Sequence, residues 1–318
     1  MTATLGGTGL RVSSVGLGLA ALGRPAYINL GHASDLAGRI DEATMERGAH
    51  AVLDAAYARG VRYFDAARSY GKAEVFLASW VARRGLGPRD LTIGSKWGYR
   101  YTGEWRTDAL VNEVKDLSVA ALRRQFAETR ALLGPHLRLY QIHSATLDSG
   151  VLDDGAVRDE LARLRDQGLA IGVTVTGPRQ AETIERVVEV GGFDVVQATW
   201  NLLERAAGSP LAAAHTLGVG VIVKEALANG RLAGRGGIED LDAAAADAGV
   251  TPDVLALAAA MAQPWASVVL SGAATVAQLE SNLAARDLAI EPSLLQRLDG
   301  IREDSDTYWR TRAALRWN

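Results

Sequence analysis

Cysteine is absent from the 318-residue chain, which removes disulfides, thiolate nucleophiles, thiolate metal ligands and iron–sulfur clusters together. Lysine is almost as scarce: only Lys72, Lys96, Lys115 and Lys224 occur, and every other basic side chain is arginine. There is no surplus of charge of one sign. With 34 basic and 37 acidic residues the net charge is -3, too small a field to draw in polyanions, so nucleic-acid binding is excluded as the main function. The five histidines (32, 50, 136, 143, 215) form no i, i+4 pair or other ligand spacing, and no metal is expected. Long hydrophobic runs are missing too. The longest, Val254 to Leu270, is interrupted by Gln263 and Pro264 and falls short of a bilayer span. The apolar stretch Val15 to Gly23 is preceded by one basic residue, Arg11, and broken by Gly16, Gly18 and Gly23, which reads as a buried strand and turn and not as a signal peptide. A cytoplasmic protein without a membrane partner is the expectation.

What is present is an ordinary globular composition, 48% hydrophobic and 22% charged. Short apolar or β-branched runs alternate with longer segments of helical period: Val15 to Ala20, Arg62 to Asp65, Leu91 to Lys96, Leu137 to His143, Ala170 to Thr176, Val195 to Thr199, Val219 to Val223 and Ser267 to Leu270. Between them, sets such as Ala51, Val52, Ala55, Ala56 recur at the i, i+3, i+4 spacing of a helix covering a sheet. Thr251 and Pro252 read as the N-cap and first residue of one such helix. A further helix over Ser293 to Ile301 and a tail holding Trp309 and Trp317 close the chain. Eight strand–helix units with no linker or charge block between them predict a single domain over 1–318, a (β/α)8 TIM barrel in preference to an open doubly wound sheet. Gly16, Gly18 and Gly23 lack the spacing of a dinucleotide fingerprint, and no Tyr-x-x-x-Lys pair is present.

Catalytic groups of such barrels project from the C-terminal ends of strands, and three runs end unusually. The second leads through Asp65 to Tyr70, the third ends at Lys96-Trp97 and the fourth at His143-Ser144. Each residue has a bland reading: Lys96 snorkelling to the rim, His143 a hydrogen-bonded structural residue, Asp65 a helix N-cap, Tyr70 a loop aromatic. Brought around one mouth they make a different set. A phenol with a pKa of about 10 is a poor acid at neutral pH; an ammonium beside it favours the phenolate, and a carboxylate beside the ammonium keeps that charged. Asp65, Lys96 and Tyr70 thus form a proton donor, His143 fixes a carbonyl oxygen, and the group suits carbonyl reduction by hydride plus proton.

With these residues the sequence resembles the aldo-keto reductase family over almost its whole length. Leu5 to Ser13 is similar to the family's barrel-capping N-terminal β-hairpin, Val15-Gly16-Leu17-Gly18 to its first strand, and Asp65, Tyr70, Lys96 and His143 to its catalytic tetrad. The resemblance implies an NAD(P)H-dependent oxidoreductase with Tyr70 as general acid or base, reducing an aldehyde or ketone or running in reverse. The alternatives are an aldose 1-dehydrogenase and, in another class, a nucleotide-binding regulatory subunit. Gln197 and Asn201 match the family's segment in which the Gln binds the nicotinamide carboxamide, and Leu270 to Asn282 matches the segment that meets the adenosine phosphate at a helix N-terminus. The implied cofactor contacts are Gly18, Thr174, Gln197, Lys224, Leu227, Gly230, Leu232, Gly272, Ala273, Ala274, Gln278 and Asn282.

Three departures bear on this. Thr174-Val175 stands where the family has Ser-Asn, and Lys224 where an aromatic often stacks on nicotinamide. Gly272, Ala274 and Gln278 stand where basic residues clamp a 2'-phosphate. Family precedent puts NADP(H) slightly ahead and the missing clamp argues for NAD(H) or dual use; Arg231, Arg235 or Arg286 are candidates to replace it. The long connections Arg24 to Ile40 and Tyr99 to Asp116 belong at the active-site face, and with the tail they offer Tyr27, Trp97, Trp105 and Trp309 either to a carbonyl or sugar substrate or to the packing of loops onto the barrel.

Overall fold

The computed structural model describes residues 2–318. A short antiparallel hairpin comes first, β1 (Thr2–Thr4) paired with β2 (Arg11–Ser13). Eight strands then form a closed barrel: β3 (Val15–Gly18), β4 (Tyr63–Asp65), β5 (Thr92–Trp97), β8 (Leu137–Ala145), β9 (Ala170–Val175), β10 (Val195–Thr199), β11 (Gly220–Lys224) and β12 (Val268–Ser271). Every neighbouring pair is parallel, including β12 with β3, which closes the ring. All eight lie within a residue or two of the runs read from the sequence, because a strand covered on both faces is apolar throughout and stands out against its helical neighbours. The excursion between β5 and β8 carries the second hairpin, β6 (Tyr99–Tyr101) with β7 (Glu113–Lys115).

Helices α1 (His32–Leu36), α2 (Glu42–Ala58), α3 (Ala73–Arg84), α4 (Val119–Leu133), α5 (Gly155–Asp166), α6 (Gln180–Val190) and α7 (Gly208–Thr216) follow in order. They continue with α8 (Glu239–Asp247), α9 (Pro252–Met261), α10 (Val276–Ala284), α11 (Pro292–Arg297) and α12 (Ser305–Ala313). Several starts are fixed by side chains accepting from the first turn, Asp41 from the Thr44 N–H (2.9 Å) and Ser118 from that of Ala121 (3.2 Å). Thr251 occupies the N-cap position of α9 but makes no cap bond; its hydroxyl meets Ser281 Oγ instead. The run Val254 to Leu270 divides into α9 and β12, and no single helix among the described residues is long and apolar enough to cross a membrane. The expected closing helix is α11 with a 3-10 turn, Leu298–Ile301, while part of the expected tail is itself helical, α12.

The core lies in two shells. Outward-facing residues of the strands, among them Ile93, Ile142, Val173 and Val196, pack under the helices. Inside the barrel Leu5 and Leu10 of the first hairpin plug the N-terminal end against Leu139, Val195, Ile222 and Val268. Above this plug lies Tyr63, fully buried, and the two glycines beside it exist for its sake. A Cβ at Gly16 would stand 2.8 Å from its ring and one at Gly94 2.5 Å from its hydroxyl. The hairpin thus caps the N-terminal end of the barrel, and a cleft opens at its C-terminal end.

Candidate active site

That open end is a cleft of about 830 Å³, within the usual range for a small-molecule site. Asp65, Tyr70, Gln197, His143 and Lys224 line it around the barrel axis, and Gly272, Ala273, Gln278 and Asn282 line its extension toward α10. The strand-end residues converge as the sequence predicts. Lys96 and Asp65 are fully buried and ion-paired. Lys96 Nζ also donates to the Ala66 carbonyl (3.1 Å) and lies 3.5 Å from the Tyr70 hydroxyl. The other carboxylate oxygen of Asp65 accepts from Tyr63 Oη (3.0 Å), Gln197 Nε2 (3.1 Å) and Gln141 Nε2 (3.3 Å), so this buried charge is paired and fully hydrogen-bonded, as burial demands. Asp65 is no helix cap; α3 starts after Lys72, which has no side-chain cap bond.

The Tyr70 phenol differs from the sequence-based expectation. Burial, followed by the charge of Asp65, pushes its pKa well above the ordinary value, outweighing the lowering effect of Arg24. The ammonium of Lys96 is committed to Asp65, so Tyr70 is held protonated, as a donor must be. His143 moves the other way: burial and the cations Lys96, Lys224, Arg24 and Lys115 push it well below its usual range, leaving a neutral imidazole. Its ring meets those of Tyr70 and Tyr99 edge-on, with centroids 5.5 and 5.1 Å apart, and its Nδ1 has no partner. The residue after it, Ser144, is in the left-handed region at φ 57°. Its N–H donates to Thr174 Oγ1 (2.7 Å), which holds the strained turn that aims His143.

Thr174 is therefore buried on β9 and absent from the cleft wall, a correction to its expected cofactor contact. Leu232 is another: it is fully buried in the cluster formed with Leu241, Leu298 and Trp309. Ala274 lies beside the cleft with its N–H committed to Gln278 Oε1 (2.9 Å). Gly18, Gln197, Lys224, Leu227, Gly230, Gly272, Ala273, Gln278 and Asn282 do line it. Three of the four expected substrate aromatics do not. Trp97 follows the inward Lys96 on β5, and alternation turns it outward into the helical shell. Trp105 meets Phe76 edge-on and donates its indole N–H to the Ile40 carbonyl (2.6 Å). Trp309 packs against Tyr308 beneath Lys224 and Arg312. Tyr27 does line the cleft.

Several lining residues were not singled out from sequence. Arg24 is buried, donating through Nη1 to the Ser69 carbonyl (3.0 Å) and to Glu113 Oε1 (2.7 Å) on β7. Its guanidinium lies 5.2 Å from the Tyr70 ring centroid, 5.1 Å from Tyr27 and 4.6 Å from Trp317, within cation–π range. Across the mouth Glu225, at φ 54°, accepts from Arg312 of α12 through both oxygens (2.6 and 3.1 Å). Burial raises the Glu225 carboxyl, but Arg312 and Lys224 prevail and bring it down to about 2. Glu225 stands one residue beyond a strand end, so the strand-end rule would have found it; nothing local marks Arg312 or Glu113.

The cleft's extension suits a dinucleotide. Adding a Cβ at Gly272 meets nothing within 4 Å, and Asn229 presents a buried Oδ1 without a partner. The loop between β12 and α10 puts a helix N-terminus where barrels commonly take phosphate. Of the arginines expected as replacements for a phosphate clamp, Arg231 is paired with Glu303 and Arg286 donates to the carbonyls of Leu283 and Arg59. Arg235 lines the cleft but is bound to Asp35 (2.6 Å), which also accepts from Gln278 Nε2 (2.8 Å).

The sequence profile of the Aldo/keto reductase family matches residues 15–303. The chain is 25% identical over 337 aligned positions to YrpG, an uncharacterised oxidoreductase of Bacillus subtilis (strain 168), covering 93% of this chain and 94% of that protein. Its fold is similar to that of the holo form of the aldo-keto reductase AKR11C1 from Bacillus halodurans, with a TM-score of 0.70 at 19% identity over 94% of this chain and 95% of the other. The chain belongs to the aldo/keto reductase family of oxidoreductases, which normally use a nicotinamide cofactor.

Proposed function

We propose that this protein interconverts a carbonyl compound and its alcohol with a nicotinamide nucleotide, Tyr70 serving as the proton donor or acceptor. The observation that carries this reading is the convergence of Tyr70, the Lys96–Asp65 pair and His143 at the C-terminal end of the barrel, where burial raises the Tyr70 pKa and lowers that of His143. The cofactor supplies the hydride. The protein's part is to hold the carbonyl oxygen between the Tyr70 hydroxyl and His143, to pass the Tyr70 proton to that oxygen, and to keep water out. Lys96, fixed by Asp65 and the Ala66 carbonyl, stands beside the phenolate that remains and stabilises it. An intact tetrad argues against a regulatory subunit without turnover.

Oxidation of an aldose is the second reading, and the substrate end of the cleft favours it. Arg24, Glu113, Glu225 and Arg312 offer fixed donors and acceptors for hydroxyl groups, and Tyr27 and Trp317 offer flat faces for a sugar ring. The pairing of Arg231, Arg235 and Arg286 within the protein weighs against the NADP(H) preference that the family resemblance implies and supports NAD(H). Tyr70→Phe tests the central claim: kcat should fall by about 10² to 10⁴, the range for a positioned general acid, with nucleotide Kd unchanged. Carbonyl compounds and aldoses assayed with both nucleotides at the nicotinamide absorbance identify the substrate; retained turnover in the Phe variant removes Tyr70 from its role.

A further inference from the structure

At the barrel mouth three cation–carboxylate pairs stand close together, and Lys224 is beside them without a carboxylate of its own. Lys96 faces Asp65 and Arg24 faces Glu113. Arg312 takes both carboxylate oxygens of Glu225. Lys224 is left over: its Nζ donates to the Thr199 hydroxyl (2.8 Å) and lies 3.9 Å from Glu225 Oε1, an oxygen already bound to Arg312. Lys224, Glu225 and Arg312 together carry one positive charge in excess, and among these groups Lys224 is the one without a carboxylate of its own. Its side chain is only 15% exposed, so solvent screens that charge poorly.

Its location gives the charge a target. Lys224 ends β11 in register with Thr199 of β10, the strand that also presents Gln197, and both Gln197 and Lys224 line the cleft. If the carbonyl oxygen sits between Tyr70 and His143, as proposed above, a nicotinamide ring held against Gln197 would stand close to Lys224, because the two residues end adjacent strands and line the same cleft. The oxidised ring carries a positive charge and the reduced ring none. In carbonyl reduction a bound nucleotide would supply a hydride, a proton with two electrons, to the carbonyl carbon while Tyr70 passes its proton to the oxygen, and the oxidised ring left behind would place a second positive charge beside Lys224. We propose that Lys224 makes the cleft bind the reduced nucleotide more tightly than the oxidised one, and so draws the reaction on the protein toward oxidation of the alcohol.

The bias has a built-in pH dependence. Burial pushes the Lys224 ammonium down to about 8, with Glu225 opposing and Arg312 and Lys96 adding to the fall and Asp65 opposing. The charged groups facing it are thus Glu225 and Arg312 at the rim and Lys96 and Asp65 across the axis; His143 is neutral and adds no charge. Below about pH 8 the lysine is charged and the bias is present; above it the proton leaves and the bias fades.

Equilibrium binding of the oxidised and reduced nucleotides, NAD and NADP forms alike, tests this without turnover. The ratio of Kd for the oxidised form to Kd for the reduced form should fall about tenfold between about pH 6.5 and about pH 9.5 in the unmodified protein, a change of about 1.4 kcal/mol. Lys224→Met should show the lower ratio at both pH values. Lys224→Arg should keep the high ratio and lose its pH dependence, because a guanidinium does not titrate in this range; thermal unfolding checks that both variants fold. A ratio in Lys224→Met equal to that of the unmodified protein at about pH 6.5, or a ratio that rises with pH, overturns the role of Lys224 alone. Failure of the unmodified protein to bind either form of nucleotide overturns the proposed function beneath it.

Discussion

The two walls of the cleft are built in different ways. On one side Asp65, Lys96 and His143 come from β4, β5 and β8, and Tyr70 from the turn that follows β4, so three of the four are delivered by barrel strands and the fourth by the turn leaving one. On the other side Arg24, Glu113, Glu225, Arg312 and Trp317 come from loops, a hairpin and the C-terminal segment, and meet across 87 or 89 residues of sequence. Strands fix a side chain to within a small error because the ladder leaves it no freedom. Loops achieve the same here only through ion pairs and stacking. In this protein the proposed proton-transfer group rests on the rigid wall, and the other wall is the one that loops can remodel.

The strongest way to break this contrast is Lys96→Met. It leaves the Asp65 carboxylate buried beside Tyr63, Gln141 and Gln197 with no cation, which should cost roughly 3–5 kcal/mol of stability as well as most of the activity. Denaturant unfolding reads the first effect and turnover the second. A variant of unchanged stability would mean that the strand-built wall does not depend on this pair.

On the loop-built wall Arg312→Met is the matching change. Glu225 titrates at about 2 in the folded protein against a usual 4.5, so its charge contributes about 3 kcal/mol by linkage. That contribution is fully present above about pH 4.5 and is lost as pH falls through about 2. The stability gap between the unmodified protein and Arg312→Met should therefore be wide at neutral pH and close in acid, followed by thermal unfolding across that range. A gap independent of pH would assign the effect to lost packing of α12 instead of charge.

The smallest effect sharpens the comparison at the nucleotide end. Gln278→Arg by itself would set a guanidinium against Asp35, as Arg235 is now, and neutralise it. Asp35→Asn frees Arg235, and the double variant Asp35→Asn, Gln278→Arg adds a second cation on α10. Charge-assisted bonds contribute roughly 1.5–3 kcal/mol when well formed, so the single change should tighten NADPH over NADH by about tenfold and the double change by more. Kd values for both nucleotides check this, and an unmodified protein already preferring NADPH a hundredfold would show that the clamp lies elsewhere.

The difference between the walls is also the difference between what was and was not legible beforehand. The eight strands, the barrel and the four tetrad residues follow from short-range pattern: apolar runs of strand length, and polar residues where such runs stop. Of the two roles open to the aromatic residues, three of the four take the packing role, for a related reason. Trp97 is adjacent in sequence to Lys96, yet the pleat of β5 sends the two to opposite faces, and Trp105 and Trp309 serve to fasten the loop and α12 down.

By itself, then, the sequence determined the alternation of strands and helices and the polar residues at the strand ends, since each depends on residues a few positions apart; the seal of the lower barrel belongs to the tertiary structure, because Leu5 and Leu10 meet Leu139, Val195, Ile222 and Val268 there. Only the tertiary structure decided that Tyr70 is held protonated, that Thr174 braces the turn after His143, and that Arg24, Glu225 and Arg312 close the mouth. It also left Lys224 there without a carboxylate of its own. Burial and the sum of charges around a group are properties of the assembled space, and residues far apart along the chain contribute to them as strongly as neighbours do.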